Sequence, residues 1–174
     1  FWQYGHELFN STPQSFPAGF IPGNVFDPEI IEPLLQPFYE PPLTLRPQNL
    51  QELRSLTPLQ GHVSAIHASS FFHLFDEEKQ NELARRLASL LSPEPGSIIF
   101  GCHRGVPVKK TTDDLMGYMM VCHSPESWKN LWDGQIFKKG TVRVHAELKD
   151  AERRECSLEN GDKLLMLDWS VNRL

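Results

Sequence analysis

The side chains able to act on a substrate gather in a few short runs of the 174-residue chain. His67, Ser69, Ser70 and His73 share the run Ile66-His67-Ala68-Ser69-Ser70-Phe71-Phe72-His73-Leu74-Phe75. A histidine titrates near neutrality, so it can take a proton from a hydroxyl, or position an oxygen that needs no base. The plain alternative for His73 is a ring packed between Phe72 and Leu74. Serines beside histidines also raise acyl transfer, but no Gly-x-Ser-x-Gly elbow surrounds Ser69 or Ser70.

Cys102-His103 and Cys122-His123 repeat a pair of zinc-ligand types. Adjacent residues on a strand point to opposite faces, so both members of a pair rarely reach one ion, and no metal site is expected. His103 and Arg104 follow the apolar run Ile98-Ile99-Phe100, and open α/β sheets bind ligands at the carboxyl ends of their strands. Arg104 there would hold an anionic group of an acceptor; otherwise it is a surface arginine. Residues 104–120, with Lys109-Lys110, Asp113-Asp114, Met116, Tyr118, Met119 and Met120, form a candidate lid over an acceptor, or a surface loop whose apolar end packs on the sheet. Methionines such as Met119 adapt to bulky apolar shapes. Trp128 and Trp132 are one helical turn apart, a spacing typical of core residues, although Trp128 could flank a prenylated ligand.

The elements that must position these groups follow from periodicity and caps. A helix is predicted over Phe1 to Asn10, stopped by Ser11-Thr12-Pro13, and a strand over Phe16 to Ile21 that ends in the turn Gly23-Asn24-Val25-Phe26-Asp27. A short helix over Glu29 to Leu35, an irregular proline-rich excursion to Pro47 and a leucine-spaced helix over Asn49 to Leu56 come next. His62 to Ala68 reads as a buried strand. Asp76 is a good N-cap for a helix to about Leu91 whose stripe is Leu83, Leu87, Leu90 and Leu91. Ser97 to Gly101 is a strand followed by a polar loop from Cys102. Ser124-Pro125-Glu126-Ser127 opens a helix to about Phe137. Thr141 to Leu148 alternates with period two, and Leu164 to Val171 pairs with it antiparallel after the polar connection Arg153 to Asp162. The class is α/β, a mostly parallel sheet with an antiparallel edge.

Composition narrows the partners. With 22 acidic against 17 basic side chains, the net charge of -5 disfavours nucleic acid, and the only basic clusters are Lys109-Lys110, Lys138-Lys139 and Arg153-Arg154. No apolar run is long enough to span a bilayer and no signal peptide is evident, so no membrane partner and a cytoplasmic location are expected. Three cysteines without a CxxC pair fit a reducing compartment. The size suits one domain.

Three motifs in order, Gly23-Asn24-Val25-Phe26-Asp27, Ile66 to Phe75, and Gly96-Ser97-Ile98-Ile99-Phe100-Gly101, resemble the fungal class I S-adenosylmethionine-dependent methyltransferases of meroterpenoid and related secondary-metabolite clusters. The resemblance covers nearly all of the chain. It implies the Rossmann-like second half of that fold, S-adenosyl-L-methionine as cofactor, and methyl transfer to a hydroxyl or carboxyl oxygen of a small molecule. By the same resemblance Asn24 holds the position that hydrogen-bonds the adenine amine, Val25 flanks the ring, Phe26 belongs to the same cofactor-binding turn, and His67, Ala68 and Ser69 meet the methionine part. His73 then sits where cofactor and acceptor meet, as the catalytic choice, with His103, Arg104, Met119 and Trp128 toward the acceptor. Asn24 stands where the family carries an acid; its amide carbonyl still accepts from an adenine amine.

The family's glycine-rich turn after its first strand and the acid after its second have no counterpart here. The chain is therefore expected to need an upstream segment, or a partner chain, for competence. A truncated relative serving as a binding or scaffolding module is the alternative.

Overall fold

The computed structural model describes residues 2–113, 119–150 and 164–174. Among these residues, three helices, α1 (Trp2–Leu8), α2 (Glu77–Leu90) and α3 (Pro125–Trp132), accompany six strands: β1 (Ala65–His67), β2 (Ile98–Arg104), β3 (Lys110–Asp113), β4 (Met119–Cys122), β5 (Val142–Asp150) and β6 (Leu165–Arg173). The main sheet has the order β1-β2-β6-β5, and β3 and β4 form a separate antiparallel hairpin. β1 and β2 are parallel, and β6 runs antiparallel to both β2 and β5. Three strands thus point one way with β6 set against them, the α/β Rossmann-like arrangement that the resemblance implies.

Local chemistry makes the helices. Asp76 accepts from the backbone N–H of Lys79, and Glu77 and Glu78 stand in the first turn, where the helix dipole favours negative charge. Leu83, Leu87, Leu90 and Leu91 are all buried, as their spacing predicts. In α3 the Ser124 hydroxyl takes the Ser127 N–H and the Ser127 hydroxyl takes the Ser124 N–H, a complete capping box. One core joins Leu83, Ala84 and Leu87 of α2 and Trp128, Leu131 and Trp132 of α3 to Ile99, Val142, Leu167, Trp169 and Val171 of the sheet. The other sheet face carries the half-exposed Phe100 and the ion pairs of Lys149 with Glu147 and Asp168. No helix among the described residues is long and apolar enough to cross a membrane.

Several predicted elements change. Phe16 to Ile21 is not a strand. Pro17 lacks a ladder donor, no described strand pairs there, and its aromatics turn to α1 instead: Phe20 stacks on Trp2 with ring centres 5.1 Å apart. Glu29 to Leu35 shortens to one turn, in which Ile30 and Ile31 both donate to the Asp27 carbonyl. Asn49 to Leu56 is a single 3-10 turn, Leu50–Glu52, capped by Asn49, because its leucines find little core to enter: Leu50 stays exposed. The His62 strand contracts to β1, α3 stops at Trp132, and β2 runs on to Arg104, so Cys102 and His103 are strand residues. The expected antiparallel C-terminal pair does form the edge of the sheet, with β5 outermost and β6 between it and β2. Part of the presumed loop at 104–120 is the β3-β4 hairpin. Phe1, Asp114, Met116, Tyr118, Cys156 and the Arg153 to Asp162 connection lie outside the described residues.

Candidate functional site

The carboxyl ends of β1 and β2 are stitched together. Ala68 donates to the Phe100 carbonyl at 2.9 Å and Ser70 to the Cys102 carbonyl at 2.7 Å. The Ser69 hydroxyl accepts from the Cys102 N–H at 3.0 Å and lies 2.7 Å from Nε2 of His67. The approach is so close that a Cβ on Gly101 would meet the Ala68 carbonyl oxygen at 2.5 Å, which is why β2 carries glycine there. Ser70 takes a left-handed conformation, φ 50°, and turns the chain out of the strand.

That turn leads into a 3-10 turn, Phe72–Leu74, which buries Phe72 and leaves the His73 ring half-buried beside it. Nδ1 of His73 is sealed from solvent and has no hydrogen-bond partner among the described residues. Burial, and then the nearby Arg104 guanidinium, lower its pKa and so favour the neutral ring. Gln80, fully buried near the start of α2, donates to the carbonyls of Phe75 and Val121, both at 2.9 Å, and so ties this turn to β4.

Behind His73 lies an aromatic cluster. His103 is 1% exposed, and its Nδ1 accepts from the Trp169 indole at 3.0 Å. Burial holds its pKa down to about 3, with smaller effects from His123 and His73. Its ring centre is 4.7 Å from that of Trp128, which is fully buried and stands edge-on to Phe72. Trp128 is therefore a core residue here, in contact with two buried histidines. The second is His123, 4% exposed, with Nδ1 3.0 Å from the Ser127 hydroxyl. Burial, then the Lys109 ammonium, bring its pKa to about 4 against an opposing pull from Glu77. Arg104 reaches the Met120 sulfur at 3.8 Å, while Met119, at the start of β4, is largely exposed.

The Asn24 turn is held from another direction. Oδ1 of Asn24 accepts the Phe26 N–H at 3.1 Å, and its backbone carbonyl accepts the Asp27 N–H at 2.9 Å. Arg86 of α2 gathers the carbonyls of Phe26, Asp27 and Ile31 and pairs with Glu82 at 2.6 Å. The Phe26 ring then meets Phe75 edge-on at 4.9 Å, and Phe75 meets Phe71 at 5.4 Å. The turn therefore packs against the segment that carries His73, although the strand expected to deliver it is missing. Arg86 and Gln80 escaped the sequence reading. The helical register of Leu83 and Leu87 does place both on the buried face of α2, and a polar residue on such a face is the signal.

No family model matches the chain. Curated fungal proteins do. O-methyltransferase phiE of Fungal sp. (strain ATCC 74256) is 39% identical over 102 residues, 56% of this chain and 33% of that protein. Methyltransferase adrK of Penicillium rubens is 27% identical over 183 aligned residues, covering 98% of this chain and 63% of the relative. This chain is similar in sequence to these fungal methyltransferases. Asnovolin E/Chermesin D methyltransferase nvfJ of Aspergillus novofumigatus is 41% identical over 80 residues, 44% of this chain and 28% of the relative. The chain spans about a third of the length of phiE. Among solved structures, a SAM-dependent methyltransferase from Methanosarcina mazei overlaps with a TM-score of 0.44 at 11% identity, over 66% of this chain and 61% of that one.

His67 stands at the end of β1, Ser69 just after it, His73 in the following turn and Arg104 at the end of β2. His103 and Trp128 sit in the core behind them. Chemically the outer group offers a hydroxyl, a neutral imidazole and a guanidinium, suited to binding an oxygen and holding it still. Among the described residues no group of three or more His, Cys, Asp or Glu side chains could hold a metal ion.

Proposed function

We propose that the complete protein transfers a methyl group from S-adenosylmethionine to an oxygen, hydroxyl or carboxyl, of a small secondary metabolite. The observation that carries this is the Phe26 to Phe75 contact, which brings the Asn24 turn against the segment holding His73. The residues present fit the cofactor at its adenine end. Asn24 spends one lone pair of its side-chain carbonyl on Phe26, and the second remains free to accept from an adenine amine. Val25 and Phe26 flank that position, and His67, Ala68 and Ser69 stand at the methionine end. When bound, the cofactor supplies an electrophilic methyl on sulfonium.

The chain's own residues then have to place the acceptor. Methyl transfer is an in-line displacement, and holding the nucleophile in near-attack geometry accounts for much of its acceleration. His73 is the residue meeting the acceptor oxygen. Arg104 supplies a fixed positive charge for an anionic group, and His103 stands behind both. The exposed Met119, at the start of β4, faces an apolar acceptor. The net charge of -5 favours such a small molecule over nucleic acid. The free thiols of Cys102 and Cys122 suit a reducing cytoplasm.

Calorimetry of the full-length protein with S-adenosylhomocysteine tests the reading. Saturable heat is expected, with Asn24→Ala binding about five- to tenfold more weakly, as for one lost hydrogen bond. Absence of any heat overturns the enzyme reading and favours a binding or scaffolding module.

A further inference from the structure

Behind the strand ends, the Trp169 indole fixes which nitrogen of His103 carries the proton. The Trp169 indole can only donate, and it lies 3.0 Å from Nδ1 of His103. Nδ1 is therefore the unprotonated nitrogen, and the proton of His103 resides on Nε2. That nitrogen is buried and without a hydrogen-bond partner among the described residues, and so is Nδ1 of His73. The two rings are neighbours, with centres 6.5 Å apart and planes inclined by 35°. A buried N–H and a buried ring nitrogen left unpaired side by side are both unfavourable, and folded proteins pair nearly all such groups. Nε2 of His103 has only a proton to offer, and Nδ1 of His73 can accept it.

We propose that His103 is a positioning residue: its Nε2–H hydrogen-bonds, directly after a small ring rotation or through one buried water, to Nδ1 of His73, so that His73 presents a neutral Nε2–H donor to its substrate. The direction runs from Trp169 through His103 to His73 and cannot reverse, because the indole has no acceptor. The arrangement requires neutral rings, and burial disfavours the charged form of both. His73 is only partly buried, and its Nε2 is not among the sealed nitrogens. With the Arg104 guanidinium nearby, these two side chains then offer donors and no base. An acceptor oxygen would be gripped rather than deprotonated, so the acceptor must arrive already nucleophilic. This chemical consequence rests on the proposed role of His73; the tautomers do not.

Long-range proton–nitrogen correlation spectra of the full-length protein with 15N-labelled histidine read the tautomers directly. His103 and His73 are both expected with Nδ1 unprotonated and Nε2 protonated at pH 7.5. In a folded Trp169→Phe variant, the His73 Nδ1 signal is expected to move off the unprotonated position as its partner loses its fixed direction. Finding His73 with its proton on Nδ1 in the unmodified protein overturns the proposal, and so does a His73 signal unchanged in Trp169→Phe. If that variant does not fold, the unmodified spectrum decides alone. Failure of S-adenosylhomocysteine to bind would remove the methyl-transfer reading and leave these tautomers standing, so the two outcomes are separable.

Discussion

Arg86, in α2, donates from Nη2 to the carbonyl oxygen of Phe26, sixty residues earlier, at 2.8 Å. The same guanidinium takes the carbonyls of Asp27 and Ile31, so one buried cation closes the turn that carries Asn24. Glu82, one helical turn away, balances its charge.

Replacing Arg86 by Met leaves those carbonyls without their donor. Because hydrogen bonds to charged groups are the stronger kind, the loss is expected to reach about 3 kcal/mol of unfolding free energy. Urea titration reads this as a lower midpoint at unchanged slope. Hydrogen exchange of the Asp27, Ile30 and Ile31 amides should quicken beyond the global change, since the turn is released first.

The edge-on contact of Phe26 with Phe75 is a pairwise term that a double-mutant cycle can isolate. Alanine at each position and at both should give a coupling of about 0.5 to 1.5 kcal/mol. A coupling indistinguishable from zero would mean that the Asn24 turn does not rest on the His73 segment, and the proposed cofactor site would lose its footing.

Gly101 should not tolerate a methyl group. Its Cβ would meet the backbone oxygen of Ala68 at 2.5 Å, and backbone cannot give way as the tip of a side chain does. Gly101→Ala is expected to destabilise by about 1 to 3 kcal/mol, the usual range for overpacking. Its Ser70 and Cys102 amides should exchange faster, because the strand ends must part to make room.

Stability should fall with acid above the range where carboxylates titrate. His103 and His123 have folded pKa values near 3 and near 4, against 6.5 for the exposed side chain. Below pH 6.5 the unfolded chain gains a proton on each, and the folded chain does not. Their contribution is therefore complete above pH 6.5 and is lost as pH drops toward those folded values, at about 1.4 kcal/mol per pH unit for each histidine. Urea midpoints measured from pH 8 to pH 5 should be level at first and then decline. A level curve down to pH 5 would mean that the two rings are hydrated. His123→Gln should flatten the slope by about half.

The sequence by itself settled what short-range chemistry controls. Asp76 and the Ser124–Ser127 box fixed where α2 and α3 begin, and the spacing of Leu83, Leu87, Leu90 and Leu91 fixed which face of α2 is buried. Period-two alternation located β5. Caps and periodicities act between residues a turn apart, so they can be read from a string of letters.

Tertiary structure decided the rest. Phe16 to Ile21 has the composition of a strand, but a strand is completed by a neighbour's N–H and C=O groups, and Phe20 stacks on Trp2 instead. β6 lies between β2 and β5 because both of its edges find partners. Whether a histidine is charged, and which nitrogen holds its proton, depends on what surrounds the ring. For His103 that is the indole of Trp169, 66 residues away, and the burial they share.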